Sequence, residues 1–340
     1  MSTPSAPVPI AVPNSEDLPR FPLSPVPETP VISNAAILII GDEVLNGKTK
    51  DSNSNFAAKL FFDCGVELKR IEVIADDEEE IIEAVLRMSK KYDIVITSGG
   101  IGPTHDDITY DSIAAAYKVD KQYDDETIRR MTALSKKRYN LGEQTEEQKT
   151  ARLRMALFPV GAEVLFVKEE LWVPVVRVAG KICILPGVPT VSLQTSTSLG
   201  VLTDQAGLLQ LFQQLLTGLC ARFVKLPPSS SKPFRLLIHT ESVFSWARNY
   251  LSKLLNPAYH LQSNDRLPES SIAPFLTKLQ EKVKTEQIRV GSYPKLLAGV
   301  DVSLIGKDLD RLKELSQEVI QELQGTLVLE GKLGEEQAKQ

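Results

Sequence analysis

Three observations predict an α/β chain with a mostly parallel sheet, helices on both of its faces, and a small α+β domain behind it. Strand-like and helix-like segments alternate from residue 35 onward, three glycines fall within four positions after the third strand, and a strand–helix rhythm restarts near Pro233. Ala36–Ile40 is a continuous apolar run and reads as a buried strand. Ser54–Asp63 carries Phe56, Leu60 and Phe61 at helical spacing, and Val66–Ile74 reads as a second strand. Glu78–Lys90 is helical, Asp93–Thr97 is the third strand, and Ile113–Tyr117 is helix-compatible. Helices follow at Thr127–Tyr139 and Glu146–Leu157, then strand-like runs at Glu163–Val167, Val173–Val178 and Lys181–Leu185. After Pro233 the order is strand Phe234–Thr240, helix Ser271–Lys284, strands Gln287–Tyr293 and Gly299–Gly306, helix Leu309–Gln324 and strand Thr326–Glu330. Helices on one face of an antiparallel sheet fit that pattern.

The chain has 340 residues, 42% of them apolar, which is enough for two domains with a sizeable core. Net charge is -5 with mixed signs, so no basic field announces nucleic acid or an anionic membrane. Cys64, Cys183 and Cys220 lie far apart, a spacing that argues against a zinc site or a disulfide framework and for a reducing compartment. No apolar run approaches the roughly 20 residues needed to cross a bilayer. The N-terminus has prolines where a signal peptide has an apolar core, so a cytoplasmic location is expected. Residues 1–34 hold 9 of the 21 prolines and are expected to form a disordered tail; 331–340 are expected to be a second one.

The run Asp93-Ile-Val-Ile-Thr97-Ser98-Gly99-Gly100-Ile101-Gly102-Pro103-Thr104-His105-Asp106-Asp107 reads as a strand feeding a phosphate loop. Glycines at 99, 100 and 102 let backbone amides turn inward on an anion, and the helix that follows adds its positive end. Asp106 and Asp107 would repel bare phosphate. They make sense if a divalent cation lies between carboxylate and phosphate, or if one of them orients water or a ligand hydroxyl. Ligands of parallel sheets collect at the carboxyl ends of the strands, where Asp42, Glu43, Asp76 and Asp77 also open.

Gly41-Asp-Glu-Val-Leu-Asn-Gly47-Lys48-Thr49 is not a P-loop, because five residues separate its glycines where four are required. It reads as an acidic turn aimed at the crevice, against the plain alternative of an exposed loop. Asp51-Ser52-Asn53-Ser54-Asn55 is rich in helix N-cap residues; Asn53 there is also in reach of a heterocycle or phosphate. Pro186-Gly187-Val188-Pro189 makes a rigid turn. No GxSxG elbow is present, and His105, His239 and His260 show no paired arrangement that would support a serine nucleophile. His105 is as well explained by a surface loop as by phosphate contact. Trp172 and Trp246 read as packing residues.

These segments resemble the MoaB/Mog molybdopterin-binding family, in the branch that holds CinA-type proteins and the N-terminal domain of eukaryotic FAD synthase. The resemblance rests on Ile39–Gly47, Asp51-Ser52-Asn53, Val73–Asp77, Thr97–Thr109, Ala151–Gly161 and Leu185–Pro189, and continues through Ser270–Pro274 and Gly291–Pro294. It implies a MoaB/Mog-like domain over 35–227 and a small α+β domain over 228–330. It also implies that Thr97, Ser98, Gly99, Gly100, Ile101, Gly102, Pro103 and Thr104, with Asn53, Pro186 and Gly187, hold a phosphate or nucleotide. Asp107, Asp76 and Asp42 would be catalytic, and Asp42, Glu43, Asp106 and Asp107 would hold a divalent metal such as magnesium, manganese or cobalt, with potassium as a further ion. The implied reaction is metal-dependent hydrolysis of a nucleotide pyrophosphate of FAD or ADP-ribose type. Alternatives are molybdopterin adenylyl transfer, with molybdopterin as ligand, and a non-catalytic partner of FAD synthesis. The ligand would be a small dinucleotide or pterin, with no nucleic acid or membrane partner, and the family implies a homo-oligomer.

The adenylyl-transferring domain of FAD synthases has no counterpart in these 340 residues, so FAD synthesis is not expected of this polypeptide alone. Thr190–Gly207 and Glu241–Arg266 fit no family element and are expected to be insertions. Val191 and Val243 are compatible with codons beginning GT and Gln205 with CAG, as translated introns would give; lineage-specific surface loops are the alternative.

Overall fold

Asn34–Ile40 forms β1, and all but its first residue is buried, as an unbroken apolar strand inside a covered sheet should be. The computed structural model describes residues 19–139, 145–187, 205–228, 232–240, 272–295 and 299–328. It divides into two compact units, Met1–Pro228 and Ser229–Gln340.

In the first unit β1 is followed by a short helix α1 (Asp42–Leu45), α2 (Asn53–Asp63), β2 (Glu67–Ile74), α3 (Glu78–Lys91), β3 (Ile94–Ser98) and α4 (Thr109–Tyr117). Then come β4 (Lys121–Tyr123), α5 (Asp125–Tyr139), α6 (Glu146–Arg154), β5 (Leu157–Pro159), β6 (Glu163–Leu165), β7 (Val175–Val178), β8 (Ile182–Leu185) and α7 (Gln205–Arg222). The main sheet has the order β2-β1-β3-β8-β7-β6. Its first three ladders are parallel and its last two antiparallel, so a parallel body carries an antiparallel edge.

Helix ends follow the local chemistry. The Asp77 side chain accepts from the Glu80 amide at 3.0 Å, three glutamates fill the first turn of α3 and two lysines its last, all in the sense that the helix dipole favours. Thr145 and Gln148 form a reciprocal capping box at α6. Strand alternation sends successive β1 and β3 side chains to opposite faces. Ile37, Ile39 and Ile96 pack with Phe61 of α2 and Leu215 of α7; Leu38, Ile40 and Val95 pack with Ile81 and Val85 of α3 and Ile113 of α4. The sheet therefore has a core on each side. Cys183 and Cys220 are buried, and burial pushes the Cys183 thiol up to about 12.

Several sequence expectations need correction here. Residues 19–34 do not behave as a tail: Phe21 and Ile32 are buried, the Phe21 amide donates to Glu169 O at 3.0 Å, and the Ile32 amide donates to Lys225 O at 3.0 Å. Arg130, itself buried, lies over the rings of Phe21 and Phe166 and donates to Pro22 O and to Glu126. Apolar anchors among the prolines, invisible to composition, fix this strap. The helix expected to run to Leu157 stops at Arg154, because Leu157–Pro159 pairs with Lys121–Tyr123 and buries Phe158 against Tyr110 at 5.0 Å between centroids. Residues 1–18, 190–204, 241–266 and 331–340 lie outside the described residues, whereas 205–207 belong to α7.

In the second unit β9 (Phe234–Thr240), α8 (Ala273–Val283), β10 (Arg289–Lys295), β11 (Gly299–Gly306), α9 (Leu309–Leu323) and β12 (Thr326–Val328) make a four-stranded antiparallel sheet, order β10-β11-β9-β12. Ile238, Val302 and Leu304 pack with Leu279 of α8 and Leu312 and Leu315 of α9. Asp301 is buried and accepts from His239 Nδ1 and Lys295 Nζ, both at 2.7 Å.

Candidate phosphate crevice

The ends of β1, β3 and β8 meet at one point. The Gly99 amide donates to Leu185 O at 3.2 Å, the Ser98 hydroxyl donates to Pro186 O at 3.1 Å, and a Cβ on Gly187 would stand 3.0 Å from Gly99 Cα. Gly99 has φ +118 and faces the Ile40 carbonyl with no space for a side chain; Gly100 has φ +62. Only glycine takes this path without strain. The Gly100, Ile101 and Gly102 amides donate to no acceptor among the described residues. Ile101 packs into both cores and pins the loop over the sheet end. Thr109, at the start of α4, closes the base of the loop: its hydroxyl donates to Gly99 O at 2.9 Å and its amide to Gly100 O at 3.0 Å.

The far side of the loop is a tight turn. The Asp107 carboxylate accepts from the Thr104 amide at 2.9 Å and from the Thr104 hydroxyl, and it lies over Gly102. Arg154 of α6 donates to Thr104 O at 3.2 Å and to Asp107 O at 3.4 Å, and pairs with Asp111 at 3.6 Å. Thr104, His105 and Asp106 are exposed, and Pro103 is half-buried.

Acidic residues gather beside this loop. Asp76 Oδ2 accepts from the Asp42 amide at 3.0 Å, while Asp76 Oδ1 would lie 3.5 Å from a Cβ on Gly100. Burial holds the Asp76 carboxyl above the usual range; the Asp42 amide opposes this, and the charges of Glu43, Asp42 and Asp106 reinforce it. Asp76 is thus central to the group. Asp77, which follows it, is spent on the α3 cap.

Asp107 is turned back onto Thr104 and away from the acids around Asp76. Asp42, Glu43, Asp76 and Asp106 are hard oxygen donors of the kind magnesium or manganese prefers, so the donor chemistry fits. As they stand, no three Asp, Glu, His or Cys side chains among the described residues converge closely enough to hold an ion.

On the α2 side, Asn53 is 2% exposed and its Nδ2 donates to Ser98 Oγ at 2.9 Å. Ser52 is the N-cap of α2 and makes no side-chain cap bond; Asp51, one residue earlier, accepts from the Ser54 amide at 3.0 Å and from the Ser54 hydroxyl. Thr97 is fully buried and, by strand alternation, faces the α4 side. Asn53 Oδ1, Thr97 Oγ1 and Thr49 Oγ1 are buried without a partner. Sequence reading did not single out Thr49, Lys50 or Arg154. Thr49 carried no signal beyond the rejected P-loop pattern, and Arg154 acts across 47–50 residues of chain.

Comparison with known proteins follows the same division. Residues 36–202 match the family described as "Probable molybdopterin binding domain", and residues 263–332 match "FAD synthase, middle domain". A "Probable FAD synthase" of Caenorhabditis elegans is 41% identical over 175 residues, covering 48% of this chain and 34% of that protein. A "CinA-like protein" of Anaeromyxobacter dehalogenans is 33% identical over 160 residues, 45% of this chain and 36% of that one. The solved CinA of Thermoplasma acidophilum is 31% identical, with 46% of this chain and 90% of that chain covered and a TM-score of 0.40. The chain spans about a third of the length of the worm proteins it matches. No helix among the described residues is long and apolar enough to cross a membrane. Residues 36–202 thus carry a domain of the MoaB/Mog molybdopterin-binding family, and the chain has CinA-like and FAD synthase-named relatives.

Proposed function

We propose that the crevice binds the diphosphate of a nucleotide and hydrolyses it, with FAD or ADP-ribose as the substrate type. The observation that carries this reading is the juxtaposition of the unengaged Gly100–Gly102 amides with Asp76, whose carboxyl burial and neighbouring negative charge hold above the usual range. Diphosphate oxygens would accept from the loop amides. Asp76 keeps Oδ2 on the Asp42 amide, which leaves Oδ1 facing the loop to take a proton from an attacking water. In the net reaction water adds to one phosphorus, the bridging P–O bond breaks, and FAD gives AMP and FMN. When bound, a divalent cation supplies neutralisation of phosphoryl charge and Lewis acidity toward water. Asp42, Glu43, Asp76 and Asp106 supply the carboxylate oxygens nearest the loop for it and would have to move together to hold it, since no three of them converge as they stand; Asp107 and Arg154 shape the turn.

The family match supports a second reading, in which a pterin such as molybdopterin occupies the same loop. Chromatography of purified chain incubated with FAD, NAD, ADP-ribose or ATP and each of magnesium, manganese and cobalt separates the two. Hydrolysis gives AMP and FMN from FAD; intact nucleotides in every tube overturn it and favour a binding protein. Turnover of ATP that requires added molybdopterin would instead establish adenylyl transfer.

A further inference from the structure

β2 is the outer strand of the main sheet: it pairs with β1 on one side and with no strand among the described residues on the other. The Ile74 carbonyl accepts from the Gly41 amide just past β1, so the backbone groups of Ile74, and by alternation those of Glu72 and Arg70, face β1. Those of Ile71 and Val73 face the open edge. Lys69, Arg70 and Ile71 are all exposed, and Ile71, a large apolar residue, is 46% exposed at the middle of this edge.

The register with β1 also fixes where the side chains go. Ile71 lies beside Ile37 on the α2 face of the sheet, whereas Arg70 and Glu72 lie beside Ala36 and Leu38 on the α3 face. Arg70 pairs with Glu72 at 3.0 Å, and Glu72 also accepts from Arg87 of α3. Alongside, Glu72, Ile74, Glu79, Glu80 and Glu83 line an open hollow of about 350 Å³. Its four carboxylates outnumber the two guanidinium groups beside it, so it is left with negative charge.

Charges on an outer strand usually discourage pairing. The order Arg70-Ile71-Glu72 does the opposite in one arrangement. If a second copy of the chain runs antiparallel with Ile71 opposite Ile71, the two isoleucines exchange both of their backbone hydrogen bonds. Each Arg70 then stands opposite Glu72 of the second copy, at the positions where facing side chains come closest, and its guanidinium enters the acidic hollow. Centring the pair on Arg70 or on Glu72 instead sets like charges against each other. A strand of another protein would gain the backbone bonds, but the same three residues reversed supply both ion pairs and the apolar contact.

We infer that the β2 edge is a self-association surface, through which two copies of this chain join their sheets across a two-fold axis at Ile71. The register shift of β2 falls at Lys69, just before these three residues, so the shared ladder is short and the dimer depends on concentration. It does not depend on what the crevice binds.

Light scattering of the full chain at rising concentration tests this, together with hydrogen exchange. Wild type should pass from monomer to dimer, and the Ile71 amide should become protected as it does. Arg70→Glu and Glu72→Lys each put two like-charged pairs into the dimer; each should keep the wild-type circular dichroism and weaken dimerisation about tenfold. Mixing the two variants brings opposite charges together in both pairs, so the mixture should dimerise about as tightly as wild type. Only folded chains can give that rescue, which separates a lost contact from a lost fold. A wild type that stays monomeric, an oligomer whose Ile71 amide stays unprotected, or a mixture no tighter than its components overturns the assignment.

Discussion

Replacing Gly99 by alanine tests whether the loop geometry is as tight as described. Gly99 sits at φ +118, outside the territory of ordinary L residues, and its missing Cβ would occupy the space of the Ile40 carbonyl oxygen. The backbone strain costs about 1–2 kcal/mol. Relieving the clash means moving the β1 end from β3, an overpacking cost of about 1–3 kcal/mol. The sum is roughly 2–5 kcal/mol, or a fall of about 4–20 °C in melting temperature for a unit of this size. Gly47 is the internal control: it has φ +76, and nothing lies within 4 Å of where its Cβ would go. Gly47→Ala should therefore cost only the strain, about 1–2 kcal/mol. Urea and thermal melts followed by circular dichroism compare the two, and hydrogen exchange localises the loss to the β1 and β3 amides. Equal destabilisation of both variants would refute the close approach of the loop to Ile40.

Other expectations follow from the acids and the latch. Asp76→Asn should raise stability at neutral pH and remove hydrolysis, because Asp76 has a raised folded pKa; the wild-type penalty is absent below the unfolded carboxylate pKa and appears as pH rises through the folded one. Melting curves from pH 3 to 8 would show the variant gaining on wild type as pH rises, and no gain would contradict it. Asp301 behaves oppositely: burial raises its pKa, but Lys295 and His239 outweigh burial and hold it low. Its stabilisation of the second unit is present above the unfolded pKa of about 3.9 and is lost as pH falls through the lower folded value. Asp301→Asn should flatten that acid limb in hydrogen exchange of β9 and β11. Arg154→Ala should lower kcat/KM about tenfold by freeing the Thr104 and Asp107 carbonyls, with partial recovery in Arg154→Lys; unchanged kinetics would remove Arg154 from the site.

Much of the first unit was legible because its local signals agree. β1 and β3 are apolar runs, α3 has a capping aspartate, acidic first turn and basic last turn, and the loop carries glycines where the backbone turns most sharply. Asp76 could be placed near Asp42 because both follow strand ends. What stayed hidden depends on residues distant in sequence. The Phe21 strap is held by Arg130, the Lys121–Tyr123 ladder needs Leu157–Pro159, and Asp107 is recruited to the turn instead of the acid group by a threonine three residues back. The buried acceptor of Asn53 is likewise set by Ser98 and Pro186, 45 and 133 positions away in the chain. Local periodicity reports burial; it does not report which distant partner completes a hydrogen bond.

Amide NMR of the full chain tests the central claim most directly. On titration with methylenediphosphonate and magnesium, the resonances of Gly100, Ile101 and Gly102 should shift first and furthest, and Asp76→Asn should weaken the response. Stationary resonances at these three positions, while the ligand perturbs amides elsewhere, would contradict a diphosphate held by the glycine loop.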